Sequence, residues 1–121
     1  MPVTPFKDLP LADGARRWNG AAAEKRVRTW AHATDKPNAK YRSAHLWFDG
    51  DAKENFTSCK MLYADVIDGQ LRAVPRAIRA AAGVLDGARG GVDIPSGDVK
   101  KAKSHLAKYY AKMGTTPPWD E

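Results

Sequence analysis

The sequence predicts an α+β fold in which a small antiparallel sheet, with a β-hairpin at Asp68-Gly69, is packed by three or four helices. Three observations lead to this prediction: a turn dipeptide between two strand-like runs, an alanine-rich amphipathic stretch directly after them, and a longer amphipathic stretch near the C-terminus. A length of 121 residues suits one compact core. We therefore expect a single domain over residues 1–121, with an extended N-terminal arm over 1–11 and a Pro/Trp tail over 115–121.

The hairpin is the clearest local signal. Ser58–Ile67 and Leu71–Val74 have the composition of strands, and Asp68-Gly69 between them suits the positive φ angles of a type I′ turn. The aromatic run His45–Phe48 predicts another strand, followed by a turn at Asp49-Gly50-Asp51. This turn does not predict a calcium site, because the next residues lack the third acidic ligand and the glycine that such a loop requires.

The first half of the chain predicts an arm and two helices. Three prolines in residues 1–11 withhold backbone donors and favour an extended arm. Ala12–Trp18 is compatible with a short helix. Asn19 is a suitable N-cap for a second helix, whose buried stripe recurs at helical spacing. That stripe consists of Ala23, Val27, Trp30 and Ala31.

Three cations, Lys25, Arg26 and Arg28, fall on or beside the opposite face of this helix. They suit a solvated helix surface, which we favour, or an anion-binding strip.

Two stronger helices are predicted in the second half. Pro75 suits the first helical position of a helix that extends to about Asp86. The glycine-rich stretch Gly87–Gly91 then predicts a C-cap and a reversal that uses left-handed glycines, since it lacks the strand before it and the Lys-Ser/Thr after it that a phosphate-binding loop needs. Ser96 is the expected N-cap of a last helix from about Gly97 to Met113, closed by Gly114.

The pattern of reactive side chains predicts no enzyme. The three histidines (His32, His45 and His105) lie in different segments without cysteine or carboxylate partners at ligand spacing. The single cysteine, Cys59, excludes an internal disulfide, and we expect it to be structural. We therefore predict no catalytic residue, no metal ligand and no cofactor.

The charge distribution points to an acidic partner. The chain carries a net charge of +6, which favours nucleic acid, an acidic protein surface or an anionic membrane face. Val99–Trp119 has five lysines and no acidic residue, and its lysine face suits a docking strip and a purely solvated surface about equally. No apolar run approaches the ~20 residues of a membrane span, and Met1–Pro10 lacks a signal-peptide pattern, so we expect no membrane partner and synthesis in the cytosol.

Two apolar side chains near the termini and several cations are the candidate partner-binding residues. Trp119 in the tail must either fold back on its own domain, which we favour, or insert into a neighbour. Phe6 lies in the extended arm, which we expect to run along another surface. The full predicted set is Phe6, Trp119, Arg76, Arg79, Lys101, Lys108 and Lys112.

Four stretches of the chain carry a resemblance to a known family: Asn19–Ala31, Ala64–Arg76, Gly87–Pro95 and Tyr109–Gly114. Together they resemble a small domain encoded by tailed bacteriophages and prophages, found as a separate protein near head-assembly genes or appended to the prohead protease. The resemblance covers nearly the whole chain but not the protease portion with its nucleophile and histidine. It assigns no catalytic residue, and it implies a phage context, with head structure the expected role.

The resemblance and the residues together predict a non-enzymatic virion protein. We expect a minor capsid or decoration (cement) protein on the capsid surface, made in the host cytoplasm and bound to the major capsid protein or other virion subunits, alone or as a homo-oligomer. Its arm and tail would be the adhesive ends. The alternative is a basic nucleic-acid-binding phage protein whose lysines join Arg76 and Arg79 on phosphates. An inhibitor of a host factor is a third possibility.

Overall fold

The computed structural model describes residues 3–87 and 91–120 and confirms the predicted α+β class. Short 3-10 turns lie at Gly50–Ala52, Phe56–Ser58 and Pro118–Asp120. The helices and strands of the described residues follow one another as α1 (Gly20–Trp30), α2 (Ala39–Ser43), β1 (His45–Phe48), β2 (Cys59–Leu62), β3 (Ala64–Ile67), β4 (Gln70–Ala73), α3 (Pro75–Leu85) and α4 (Ser96–Met113).

The strands form two separate two-stranded antiparallel sheets, β1–β2 and β3–β4. The prediction of one continuous strand over Ser58–Ile67 is therefore wrong, because the run divides at Tyr63. The Tyr63 N–H donates to the Ala44 carbonyl, and its carbonyl accepts from the Val74 N–H, so its backbone bonds lie outside both ladders. Two residues earlier, within β2, Met61 has a φ of 60°, which lies outside the β region.

The hairpin between β3 and β4 forms where the sequence predicts it. Ile67 pairs with Gln70 at the end of the ladder. Asp68 and Gly69 have φ angles of 54° and 77°, as a type I′ turn requires. Glycine and aspartate tolerate this left-handed region better than most residues, so the turn is determined locally.

In the first half of the chain, α1 forms where it is predicted, but Trp30 of its predicted buried stripe is only half-buried. The short helix over Ala12–Trp18 does not form. The Asn19 side chain accepts from the Ala22 N–H and starts α1 there. Before it, the Asp13 carboxylate accepts from the Ala15 N–H, and this local bond favours a turn over a helix.

The short helix α2 is absent from the sequence prediction. It starts because the Asn38 side chain accepts from the Tyr41 N–H, while its amide donates to the Ala31 carbonyl at the end of α1. The contact to α1 is non-local. A helix of five residues is not stable on its own, so the N-cap signal of Asn38 by itself did not indicate one.

The helices α3 and α4 agree with the predictions within a residue or two. Pro75 occupies the first turn of α3, and Gly87 and Gly91 have positive φ angles of 100° and 82°, as expected for the glycine-rich reversal. Residues 88–90 of that reversal lie outside the described residues. The N-cap of α4 is Pro95 rather than Ser96, and Gly114 ends the helix in the left-handed region.

The N-terminal arm runs without helix along both sheets. Val3 forms a β-bridge with Trp47 of β1, and Leu11 forms another with Ala73 of β4. Between these bridges, the Tyr109 hydroxyl of α4 donates to the Lys7 carbonyl. The arm therefore contacts both sheets and the last helix.

The buried side chains of sheets, helices and arm form one hydrophobic cluster. Three of its largest fully buried members are tyrosines: Tyr41, Tyr63 and Tyr109. Large amphipathic rings fill this volume while their hydroxyl groups reach polar partners at its edge. None of the described helices is long and apolar enough to cross a membrane.

Gly114 and Gly97 make a matched pair for testing the end of α4. A Cβ added at either position would have no atom within 4 Å, but only Gly114 has a positive φ, of 75°. Gly114→Ala should lower the free energy of unfolding by about 1 kcal/mol because of left-handed backbone strain. Gly97→Ala should leave it unchanged or raise it by up to about 1 kcal/mol. Urea denaturation measures both, and equal effects would contradict the assignment of Gly114 as the helix C-cap.

Candidate interaction surfaces

Three of the predicted partner-binding residues take part in the contact between α4 and the arm: Lys108 and Lys112 of α4, and Phe6 of the arm. The Lys112 ammonium donates to the Asp8 carboxylate at 2.8 Å and to the Leu9 carbonyl at 2.7 Å. The Lys108 ammonium lies 5.1 Å from the centroid of the Phe6 ring, a cation–π distance. These lysines therefore hold their own arm. Their binding to a partner stays a prediction.

The structure confirms that Trp119 packs on its own domain. Its ring lies edge-on to Tyr110 of α4, with 6.3 Å between the ring centroids. The Lys103 ammonium lies 5.3 Å from the Trp119 centroid. The tail is thus held by the same combination of aromatic and lysine contacts as the arm, at another part of α4.

The other predicted site residues, Arg76, Arg79 and Lys101, are exposed. Within residues 3–87 and 91–120, none of them forms a hydrogen bond or an ion pair. Ile78 and Ala82 bury the opposite side of α3, so its two arginines project away from the core. We call these three exposed cations together the basic outer surface of α3 and α4.

Beneath the arm, His105 lies in an aromatic cage. Its ring is 5.6 Å from Phe6, 5.6 Å from Tyr63 and 5.9 Å from Tyr109, measured between centroids. Only 4% of the residue is exposed, and neither ring nitrogen has a well-formed hydrogen bond in the described chain. Burial lowers the pKa of His105 to about 4, although the nearby backbone of Thr4 acts in the opposite direction and raises it. His105 is therefore neutral at physiological pH.

A cleft of about 560 Å³ lies between α1 and β2, and sequence reasoning missed it. At its polar centre, the Glu24 carboxylate accepts from Arg28 at 2.6 Å and from the Tyr41 hydroxyl at 2.7 Å. The Arg28 guanidinium also lies 3.7 Å from the centroid of the Phe56 ring. The pair of Glu24 and Arg28 is separated by one helical turn, which is a recognisable signal, but the aromatic partner comes from distant sequence.

The pKa values in this cleft fit a structural network. Burial alone would raise the pKa of Glu24, but the hydrogen bonds from Tyr41 and Arg28 lower it overall. Burial and the neighbouring carboxylate raise the pKa of Tyr41. Burial lowers the pKa of His45 to about 4 and raises that of Cys59, so the thiol is not activated as a nucleophile. The hydrogen bonds therefore hold Glu24, Arg28 and Tyr41 in fixed positions at the centre of the cleft.

Asp65 of β3 is a second unpredicted centre. Its buried carboxylate accepts from Arg26 of α1 through two bonds of 2.8 Å and from Arg16 at 3.2 Å. It also accepts from the Val66 N–H at 2.7 Å. Burial alone would raise the pKa of Asp65, but the bonds from Arg26 and Arg16 lower it overall. Asp65 therefore fixes two arginines at the junction of α1 and the β3–β4 hairpin.

Comparison with known proteins gives no match from which a function could be inferred. No protein-family model, no curated protein and no solved structure matches the chain. The resemblance to the phage head-assembly domain therefore stays a prediction from sequence.

The buried His105 predicts a loss of stability in mild acid. Its folded-state pKa of about 4 is below its ordinary value of 6.5, so the unfolded chain binds the proton more readily. The free energy of unfolding should fall as the pH drops from about 6.5 to about 4, by up to about 1.4 kcal/mol per pH unit for this group. His45 should add a similar slope, since its pKa is also about 4.

His105→Phe tests this attribution, because the new ring fills the cage and does not titrate. Urea denaturation between pH 7 and pH 4.5 should give this variant a shallower decline than the original chain, by about one proton. Its stability at pH 7 serves as the control for correct folding. The same decline in both proteins would contradict a neutral His105 in the fold.

Proposed function

We propose that this chain is a non-enzymatic bacteriophage virion protein, a minor capsid or decoration protein that binds the outside of the head. The observation that carries the proposal is the basic outer surface of α3 and α4, where Arg76, Arg79 and Lys101 are exposed without acidic partners in the described chain. Such a surface complements an acidic face of a capsid subunit. The phage context comes from the sequence resemblance.

The state of the titratable groups supports a binding role. In the α1–β2 cleft, the Glu24 carboxylate is hydrogen-bonded to Tyr41 and Arg28. Burial keeps Cys59 as a thiol. A nucleophile would instead need a base within reach and a lowered pKa. The arrangement therefore favours a protein that acts by surface complementarity.

The contacts of the two ends change where attachment is expected. Phe6 packs on His105 and Tyr109, and Trp119 packs on Tyr110. In the proposal, both rings contribute by holding α4 in position, and the basic outer surface of α3 and α4 makes the main contact with the capsid. Phe6 and Trp119 are half-buried, so in the proposal their exposed parts make only secondary contacts with the capsid.

Charge reversal on α3 tests the proposal. The double variant Arg76→Glu/Arg79→Glu should lower retention on purified capsids by at least about tenfold, because it places like charges against an acidic surface. Lys36→Glu/Lys53→Glu makes the same change of net charge at exposed positions outside α3 and α4 and should be retained. Co-sedimentation with capsids of the encoding phage measures retention. Equal retention of both variants, with unchanged melting temperatures, would exclude this surface.

Nucleic-acid binding is the second candidate, favoured by the same unpaired cations. Lys108 and Lys112 contact the arm and Lys103 contacts the tail, so the cations of α3 and α4 left for phosphates are Arg76, Arg79, Lys100 and Lys101.

A salt titration on duplex DNA should then give a log–log slope of about −3.6 if those four cations bind phosphates. A steeper slope would indicate that Lys108 or Lys112 leaves the arm to bind DNA. Absence of binding at low salt would remove this candidate and leave the capsid proposal unaffected.

A further inference from the structure

A second surface lies on the side of α1 that faces the β3–β4 hairpin. It is a groove of about 440 Å³ with an apolar floor and a basic rim, and it is separate from the basic outer surface of α3 and α4. Among the residues that the structure describes, no acidic side chain lines it. Its lining consists of Lys25, Arg26, Thr29, Trp30, Val66 and Gly69.

The rim is positively charged even though Arg26 is ion-paired. Asp65 accepts from both Arg26 and Arg16, so one carboxylate faces two guanidinium groups. The Asp65 side chain is 3% exposed, whereas that of Arg26 is 46% exposed. Arg26 is therefore held in one orientation while nearly half of its side chain remains open to solvent. Lys25 beside it is exposed and has no acidic partner in the described chain.

Trp30 supplies the apolar part of the groove. It is half-buried at the end of α1, and the Lys40 ammonium lies 5.3 Å from the centroid of its ring. Lys40 thus adds a third cation beside the groove. On the hairpin side of the groove, Val66 offers an aliphatic side chain, and Gly69 leaves space because no atom lies within 4 Å of a Cβ placed there.

We propose that this groove binds an acidic protein segment that inserts one apolar or aromatic side chain between Trp30 and Val66. The carboxylates of the segment would then lie against Lys25 and Arg26. The argument is charge complementarity: the lining has cations and no acid, and an apolar floor of this size accepts one side chain. A fixed arginine beside an aromatic ring is a favourable anchor because little side-chain entropy is lost on binding.

The geometry favours a peptide over single-stranded nucleic acid. Strand binding without sequence preference uses successive aromatic side chains as stacking surfaces for neighbouring bases. This groove has one aromatic residue, Trp30, and the Lys40 ammonium lies over its ring. The rest of the floor is aliphatic. The inference does not depend on the proposed capsid role, because it concerns a different surface.

A labelled peptide tests the inference. The probe is a fluorescein-labelled peptide with one tryptophan between two pairs of glutamates, and its binding to the full chain is followed by fluorescence anisotropy. Lys25→Glu and Thr29→Glu should each weaken binding at least about tenfold, because they place negative charge at the rim and inside the groove. Lys53→Glu makes the same charge change as Lys25→Glu at an exposed site elsewhere, and it should change the affinity less than about twofold.

One further protein variant, one altered probe and an NMR spectrum locate the binding site. Asp68→Asn removes the acidic residue next to Gly69 and suits the same turn, so it should strengthen binding. A probe with alanine in place of tryptophan should bind at least about tenfold more weakly. In NMR spectra, the indole signal of Trp30, assigned with Trp30→Phe, should shift more than those of the other three of the four tryptophans.

Several outcomes would overturn the inference. One is no binding of the glutamate peptide by the original chain at about millimolar concentration, the weak limit for a specific contact. Another is equal weakening by Lys25→Glu and Lys53→Glu, which would mean a general charge effect. A third is displacement of the peptide by an oligothymidine that binds more tightly, which would make the groove a nucleic-acid surface.

Discussion

The contacts of the N-terminal arm hold the domain together. The Thr4 N–H donates to the Leu46 carbonyl of β1, while Pro10 and Ala12 exchange backbone hydrogen bonds with Ala73 of β4. Two-stranded sheets are marginally stable on their own in water, so each gains from the bridge that the arm adds at its edge. The part of the arm between its two bridges is bound by Lys112 of α4, whose ammonium donates to Asp8 and Leu9. One extended segment therefore connects both sheets with the last helix.

This use of the arm changes the meaning of the net charge. The lysines of α4 look like one basic strip in the sequence, but Lys103, Lys108 and Lys112 each contact an aromatic or acidic side chain of the tail or arm. Their charges still contribute to the long-range field, which acts over about 10 Å at moderate salt. Close contact with a partner at these positions would compete with intramolecular packing. The proposed partner contacts are therefore placed at Arg76 and Arg79 and at the groove beside α1.

The sequence predicted the elements whose signals are local. The Asp68-Gly69 turn, Pro75 at the start of α3 and Gly114 at the end of α4 each depend on the φ preference of one or two residues. The division at Tyr63 was missed because it depends on backbone partners 19 and 11 residues away, Ala44 and Val74. The cleft was missed for the same reason, since it combines α1 with strands and loops from later in the chain. The cations of the groove were recognisable on α1, but its apolar floor was not, because Val66 and Gly69 come from the hairpin.

Asp65 illustrates how such a distant contact can serve both fold and surface. Burying a carboxylate is costly unless it is paired, and here Arg26 and Arg16 keep it ionised, with a pKa below its ordinary value. Because that pKa is lowered in the folded chain, the pairing stabilises the fold above the ordinary carboxyl pKa of 3.8, and the contribution is lost as the pH falls through the folded-state value. The same bonds join α1 to the hairpin and orient Arg26 at the groove. A leucine at position 65 could pack the junction, but it could not hold a cation at a defined place on the surface.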